Sequence, residues 1–329
     1  MEHHSRSAAD LVLEGGGVKG AGLAGAMTTL LGRYNAHRVA GTSAGAIVAA
    51  LAAAGLGGRL EQLTVETDFS AFLDHGALGS WLGPVGQGLD VLLREGLYRG
   101  EVLHRWVAEH LADAGVRTWG DLRLAGASRR DPIEQQYRLV VIVSDVSRGR
   151  MLRLPWDYQR LLGRDPDAMP VADAVRASAS IPFFFRPWRM PVHPALAHGR
   201  DELVLTDGGM LSNYPIGLFD DQMERPTIGV KLSARMRVAE QRWSDVDDPL
   251  ALAKALVSTM TNAHDQIYVD QPSVVARTVF VDASGVSTTD FHLSDDQKAA
   301  LYGSGRRAAE RFLAGWCYDR WRSEYAVAA

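Results

Sequence analysis

Residues 11–45 read LVLEGGGVKGAGLAGAMTTLLGRYNAHRVAGTSAG, and this stretch decides the fold. Two short strand-like runs, 11–13 and 38–40, each give way to a turn of small residues. The first turn is Gly15-Gly16-Gly17-Val18-Lys19-Gly20 and the second is Gly41-Thr42-Ser43-Ala44-Gly45. Helical patterns follow both, over residues 21–31 and about 44–54. Strand, turn and helix in immediate repetition predict an α/β fold whose two turns emerge from the same edge of a sheet.

The rest of the chain continues the alternation. Val102, Leu103, Trp106, Val107 and Leu111 recur at helical spacing over residues 100–113. Residues 139–143 are a run of β-formers suited to a central strand, and 203–205 and 227–230 read as further strands. Ser294, with Asp295 and Asp296 after it, is placed to cap a final helix running towards residue 313. Over residues 68–97, Gly76, Gly79, Gly83, Pro84, Gly86 and Gly88 interrupt the aromatics Phe69, Phe72 and Trp81, which predicts loop with short helices. No repeat or long linker divides the chain, so residues 1–329 are expected to form one domain, with 1–9 as a disordered N-terminal segment.

Composition narrows the function. Of 329 residues, 47% are hydrophobic and 22% charged, as in folded globular proteins, and the net charge of −4 lacks the basic footprint of a nucleic-acid binder. The single cysteine, Cys317, excludes an intramolecular disulfide, and the polar N-terminus is no secretory signal, so a cytoplasmic location is expected. Residues 39–58 carry no charge, but Gly, Ala, Thr and Ser dominate them, which suits a turn and a buried small-residue helix better than a membrane span.

Three motifs carry the chemistry. Glycines at 15, 16, 17 and 20 let the backbone turn tightly at a helix N-terminus and leave amides for an anion. A dinucleotide fold uses the same G-x-G-x-x-G spacing, but its NAD form needs an acidic residue about twenty positions on and none occurs between Glu14 and Glu61; an NADP site using Arg38, in a non-catalytic nucleotide- or lipid-binding module, is the alternative and leaves the next motif unexplained. The G-x-S-x-G at residues 41–45 fits a strained strand-to-helix elbow that exposes Ser43, although an ordinary helix-capping serine has the same pattern. Asp207, followed by Gly208 and Gly209 after an apolar strand, reads alone as a turn. Beside the other motifs the carboxylate gains a use, because a serine hydroxyl needs a base to become a nucleophile.

In this order the motifs resemble the patatin-like phospholipase family. Leu97-Tyr98-Arg99-Gly100, Ser144-Asp145, the run from Arg176 to Pro182, and Asn213-Tyr214-Pro215-Ile216 extend the resemblance over most of the chain, and Lys19 matches the family's usual basic position. The resemblance implies a three-layer α/β/α domain around a mainly parallel sheet and a Ser43–Asp207 dyad without histidine. It further implies no metal and no cofactor, and a phospholipid or other acyl-ester lipid as substrate. Glu14 departs from the aspartate found in many relatives.

Within that frame Ser43 attacks the ester, Asp207 takes its proton, and loop amides of Gly15, Gly16, Gly17, Val18, Lys19 and Gly20 are candidates for the oxyanion hole, Gly16 and Gly17 foremost. Gly41 and Gly45 shape the elbow. An alternative Ser-Asp-His triad would use His264 or His292, but only two short strands precede Ser43, fewer than that fold requires. The other histidines, including His37, His104 and His193, lack metal-ligand spacing. Residues 182–188 (PFFFRPW) suit core packing, an acyl channel or a membrane interface. Residues 117–164 hold ten Arg and no Lys against five acids, which suits a solvated, ion-paired face or peripheral contact with a membrane surface.

Overall fold

The computed structural model describes residues 6–74, 95–193, 199–221, 224–232 and 270–325, with isolated positions between 246 and 260. His264 and most of the 68–97 stretch lie outside them. The described residues form ten strands: β1 (Ala8–Leu13), β2 (Asn35–Thr42), β3 (Gly96–Tyr98), β4 (Leu139–Asp145), β5 (Arg150–Leu154), β6 (Phe183–Phe185), β7 (Trp188–Pro191), β8 (Glu202–Asp207), β9 (Thr227–Lys231) and β10 (Thr278–Phe280). The principal helices are α1 (Gly20–Arg33), α2 (Ala44–Ala53), α3 (Leu60–Glu66), α4 (Glu101–Asp113), α5 (Val171–Ser178), α6 (Asp295–Gly315) and α7 (Tyr318–Tyr325).

A mostly parallel sheet forms the centre. β10, β9, β1, β2 and β4 pair in parallel, in that spatial order. At β4 the pattern changes. β5 runs antiparallel along one edge of it, from Val141 to Asp145. The opposite edge is shared: β2 pairs with Leu139 to Ile142, and β8, antiparallel, takes over from Val143 to Asp145. Thr42 sits opposite Ile142 and Asp207 opposite Val143, so the C-terminal ends of β2 and β8 meet head to head across consecutive residues of one strand. β4 is buried at every position, as its unbroken apolar run LVVIV demands for a strand covered on both faces.

Alternate strand residues divide between the two faces. Leu11, Leu13, Val39, Val141 and Val143 pack with residues of α1 to α6 in the larger core cluster. Val12, Ala40, Val140 and Ile142 face the other way, onto Trp156, Tyr214, Ile216, Phe219 and Val274. This second layer is built from single helical turns, with α7 beside them through a bond from Trp321 Nε1 to the Ser273 carbonyl. The resulting arrangement is a sheet flanked by helices, as the sequence predicts. Residues 39–58 are the end of β2 and helix α2, and no helix among the described residues is long and apolar enough to cross a membrane.

Several boundaries differ from the sequence pattern. β1 begins at Ala8 rather than residue 11, because Ala8 and Ala9 pair with Asn35 and Ala36 and so are held by the sheet, within the segment expected to be disordered. Ser294 caps α6 in a reciprocal capping box with Gln297, but α7 follows beyond the helix expected to be last. Residues 96 and 97, at the end of the stretch expected as loop, join Tyr98 in pairing in parallel with β6 as a small second sheet. Five of the ten arginines of the Arg-rich segment are ion-paired, sharing three carboxylates: Arg123 and Arg129 pair with Asp167, Arg148 with Asp145, and Arg153 and Arg160 with Asp157.

Candidate active site

β2 delivers Ser43 to the edge of the sheet in a backbone conformation few side chains adopt, φ 53° and ψ −123°. Holding a non-glycine residue there costs on the order of 1–3 kcal/mol and requires neighbours that leave no alternative. The flanking glycines show why it persists. A Cβ on Gly41 would lie 2.3 Å from the Gly45 carbonyl oxygen, and one on Gly45 would lie 2.4 Å from that of Glu14. The elbow is thus backbone packed on backbone, against the end of β1. Ser178 Oγ accepts the Ser43 N–H at 2.8 Å and donates to the Ile142 carbonyl at 2.6 Å, tying the elbow to β4.

From the abutting end of β8, Asp207 presents its carboxylate to the serine. Ser43 Oγ donates to Asp207 Oδ2 at 2.6 Å, and the second oxygen, Oδ1, accepts the Gly209 N–H at 2.8 Å. Gly208 fits between because it has no Cβ, which would stand 2.2 Å from the Ile142 carbonyl oxygen. Both Ser43 and Asp207 are buried. Desolvation pushes the Asp207 carboxyl up to about 6, against the opposing pull of its bonds from Ser43 and Gly209. No imidazole bonds to either residue among the described residues, and His292 is exposed.

The glycine loop lies against this pair. Gly15 stands where a Cβ would approach the Ser43 Cβ to 3.1 Å and the Asn213 Oδ1 to 2.3 Å. Four of its six amides are committed within the protein: Gly15 to the Asn213 carbonyl, Val18 to that of Thr288, Lys19 to that of Gly16, and Gly20 to those of Gly17 and Val18. The amides of Gly16 and Gly17 alone in the loop have no partner among the described residues. Gly17 has φ 56°, and a Cβ there would meet the Thr288 carbonyl oxygen at 2.1 Å. Glu14, the departure from the family pattern, anchors the base of the loop by an ion pair with Lys231 and a 2.5 Å bond from the Leu232 N–H.

Beside Ser43 opens an apolar cleft of about 750 Å³, counted with its mouth. Ala44, Ile47, Val48 and Leu51 of α2 form one wall, Leu103 and Trp106 of α4 face it, and Phe185 and Phe291 border it. The aromatic run therefore divides: Phe185 is buried and lines the cleft, Phe184 packs on Tyr98 and Phe291, and Phe183 is exposed. Ser178, Asn213, Thr288 and Phe291 are not among the residues the sequence singles out for chemistry, although Asn213 opens the quoted stretch Asn213-Tyr214-Pro215-Ile216. Ser178 lies inside the quoted run from Arg176 to Pro182, whereas Thr288 and Phe291 sit in a polar stretch with no local signal. Among the described residues no group of three or more His, Cys, Asp or Glu side chains is arranged to hold a metal.

Comparison with known proteins agrees with this architecture. The family model described as patatin-like phospholipase matches residues 11–220. An uncharacterized protein of Bacillus subtilis strain 168, YqhO, is 38% identical over 311 residues, covering 94% of this chain and 99% of its own. Among solved structures, VipD from Legionella pneumophila superposes with a TM-score of 0.51 at 18% identity, over 94% of this chain and 67% of VipD. ExoU of Pseudomonas aeruginosa, in its complex with SpcU, gives 0.47 at 19% identity, and this chain spans about half (51%) of it. With a family model covering most of the sheet and a full-length relative at this identity, the chain belongs to the patatin-like phospholipases, a family of lipid hydrolases.

Proposed function

We propose that the protein is a serine acyl hydrolase that cleaves lipid acyl esters through a Ser43–Asp207 dyad. The observation that carries this reading is the 2.6 Å bond from Ser43 Oγ to a buried carboxylate, at the mouth of an apolar cleft. Ser43 Oγ attacks the ester carbonyl carbon as its proton passes to Asp207 Oδ2. The oxyanion is met by the unclaimed amides of Gly16 and Gly17. Collapse breaks the bond to the alcohol, which leaves with the proton held by Asp207, and the acyl group remains on Ser43. Water then attacks, giving its proton to Asp207, and the fatty acid departs as Ser43 recovers its own.

A carboxylate is ordinarily too weak a base for this work, and the burial that raises Asp207 brings its proton affinity closer to what the step needs. The cleft supplies an apolar seat for an acyl chain, with no charged side chain among the described residues that line it. A phospholipid is the substrate favoured by family membership, and a cytoplasmic location is compatible with the lone Cys317.

A serine-directed phosphonate probe followed by intact-mass mapping tests the reading. The expected adduct lies on Ser43, and Ser43→Ala loses both labelling and ester turnover while keeping its fold. Asp207→Asn should fall nearly as far, and the double variant little further, because residues acting as a unit give non-additive losses. Substantial turnover by purified Ser43→Ala would overturn the assignment.

A further inference from the structure

Arg176 stands near the end of α5, and the mechanism above moves no proton through it. Its side chain is 2% exposed. Nε donates to the Gly100 carbonyl at 2.9 Å, Nη1 to Ser180 Oγ at 2.5 Å, and Nη2 to the carbonyls of Arg99 at 2.6 Å and Arg186 at 3.0 Å. Among the described residues it has no ion-pair partner. Burial pulls the guanidinium down to about 10, while Asp74 and Glu101 act on it in the opposite sense from longer range. A cation buried without an ion pair is costly to desolvate, and an apolar side chain of similar volume would fill the space at lower cost.

What only a guanidinium supplies here is a planar fork of donors. It joins the β3–α4 junction at Arg99 and Gly100, the end of β6 at Arg186, and the turn that closes α5. The fit is tight enough to dictate a neighbour: Gly100 has φ 71°, and a Cβ on it would lie 2.3 Å from the guanidinium.

The turn that receives Nη1 grips both members of the dyad. Ser180 offers its carbonyl to the Asp207 N–H at 2.9 Å, and Ser178 offers its hydroxyl to the Ser43 N–H at 2.8 Å. We infer that Arg176 is a positioning residue for the Ser43–Asp207 pair, acting through Ser180. The inference rests on the dyad reading given above. Through Arg99 and Gly100 the same fork fixes the start of α4, whose Leu103 and Trp106 line the cleft.

Steady-state kinetics across pH on Arg176→Lys and Ser180→Ala, with the melting temperature of each, test it. Lysine keeps the charge but cannot span four acceptors. Its kcat should fall on the order of a hundred-fold, the loss associated with about 1 Å of misplacement. Ser180→Ala keeps the carbonyl that receives the Asp207 N–H and removes only the hydroxyl that ties it to Arg176, so kcat should drop about ten-fold while KM stays within about threefold. In both, the acid limb of kcat/KM should move below the wild-type value, because a loosened turn admits water to Asp207. A lower melting temperature with wild-type kcat and an unmoved acid limb would make Arg176 purely structural and overturn the inference. If Arg176→Lys does not fold, Ser180→Ala decides on the same two readouts. An active Ser43→Ala, by contrast, would bring down the dyad reading itself.

Discussion

Asp207 combines two demands that pull apart. To serve as a base it must be ionised, yet burial holds its carboxyl up to about 6. Below that value the proton acceptor is lost, so kcat/KM should fall about tenfold per pH unit on the acid side, with an apparent pKa near 6 in the pH profile of wild type. The stability effect has the opposite sign. A carboxyl raised in the folded state contributes stability below the unfolded pKa, and that contribution is lost as pH rises through about 6. Asp207→Asn carries no charge, so it should melt several degrees higher than wild type at pH 8 and gain little at pH 4, a difference of about 3 kcal/mol for a shift of roughly two units. Thermal melts across pH check it. The glycine loop offers a second contrast at this scale. Gly17→Ala places a Cβ against a backbone carbonyl from a left-handed conformation, and should lower kcat on the order of a hundred-fold. Gly16→Ala meets only the movable Leu232 side chain, at 2.3 Å, and should lose far less. Equal losses in the two would withdraw the distinction between them.

Among the elements, α1 and α6 cross closely because neither carries bulk at the contact. A Cβ on Gly25 would lie 2.0 Å from the Tyr302 carbonyl oxygen, and one on Gly305 would lie 1.9 Å from that of Gly22. Backbone meets backbone, and no side-chain rotation relieves the clash. Gly305→Ala should therefore destabilise by about 1–3 kcal/mol, the usual range for overpacking, although alanine favours an isolated helix. Chemical denaturation measures the loss, and phosphonate labelling of Ser43 should persist in the folded fraction. The same elements show what local rules convey. Apolar spacing places α4, and Ser294 with Gln297 caps α6, because each signal acts within a turn or two of the chain. The second sheet of β3 and β6 carries no comparable signal: Gly96–Tyr98 becomes a strand only because Phe183–Phe185 pairs with it.

At the scale of the whole molecule, the cleft is a joint product of α2, α3, α4 and the segment that brings Phe291 back over the glycine loop. Ile47 lies about one turn of α2 beyond Ser43 on its wall, so Ile47→Trp should block the path of a long acyl chain close to its ester. Turnover of an acetyl ester should be retained, and that of a ten-carbon ester should fall roughly tenfold or more, since a filled pocket forfeits the burial of about 0.8 kcal/mol per methylene. Equal effects on the two esters would move the acyl chain out of this cleft. The sequence by itself determined the alternation of strands and helices, the turns that hold Gly16, Ser43 and Asp207, and the cap of α6. Each is a contest among a few neighbouring residues over φ, hydrogen bonds and apolar spacing. Only the tertiary structure decided that β2 and β8 share one edge of β4 and abut there, which sets Ser43 2.6 Å from Asp207. Only packing decided that Arg176 and Ser178 brace them, that Thr288 claims the Val18 amide, and that Asp167 pairs with Arg123 and Arg129 of the Arg-rich stretch. Such pairings join positions far apart in the chain, and their energies depend on strand register and close packing that no single segment encodes.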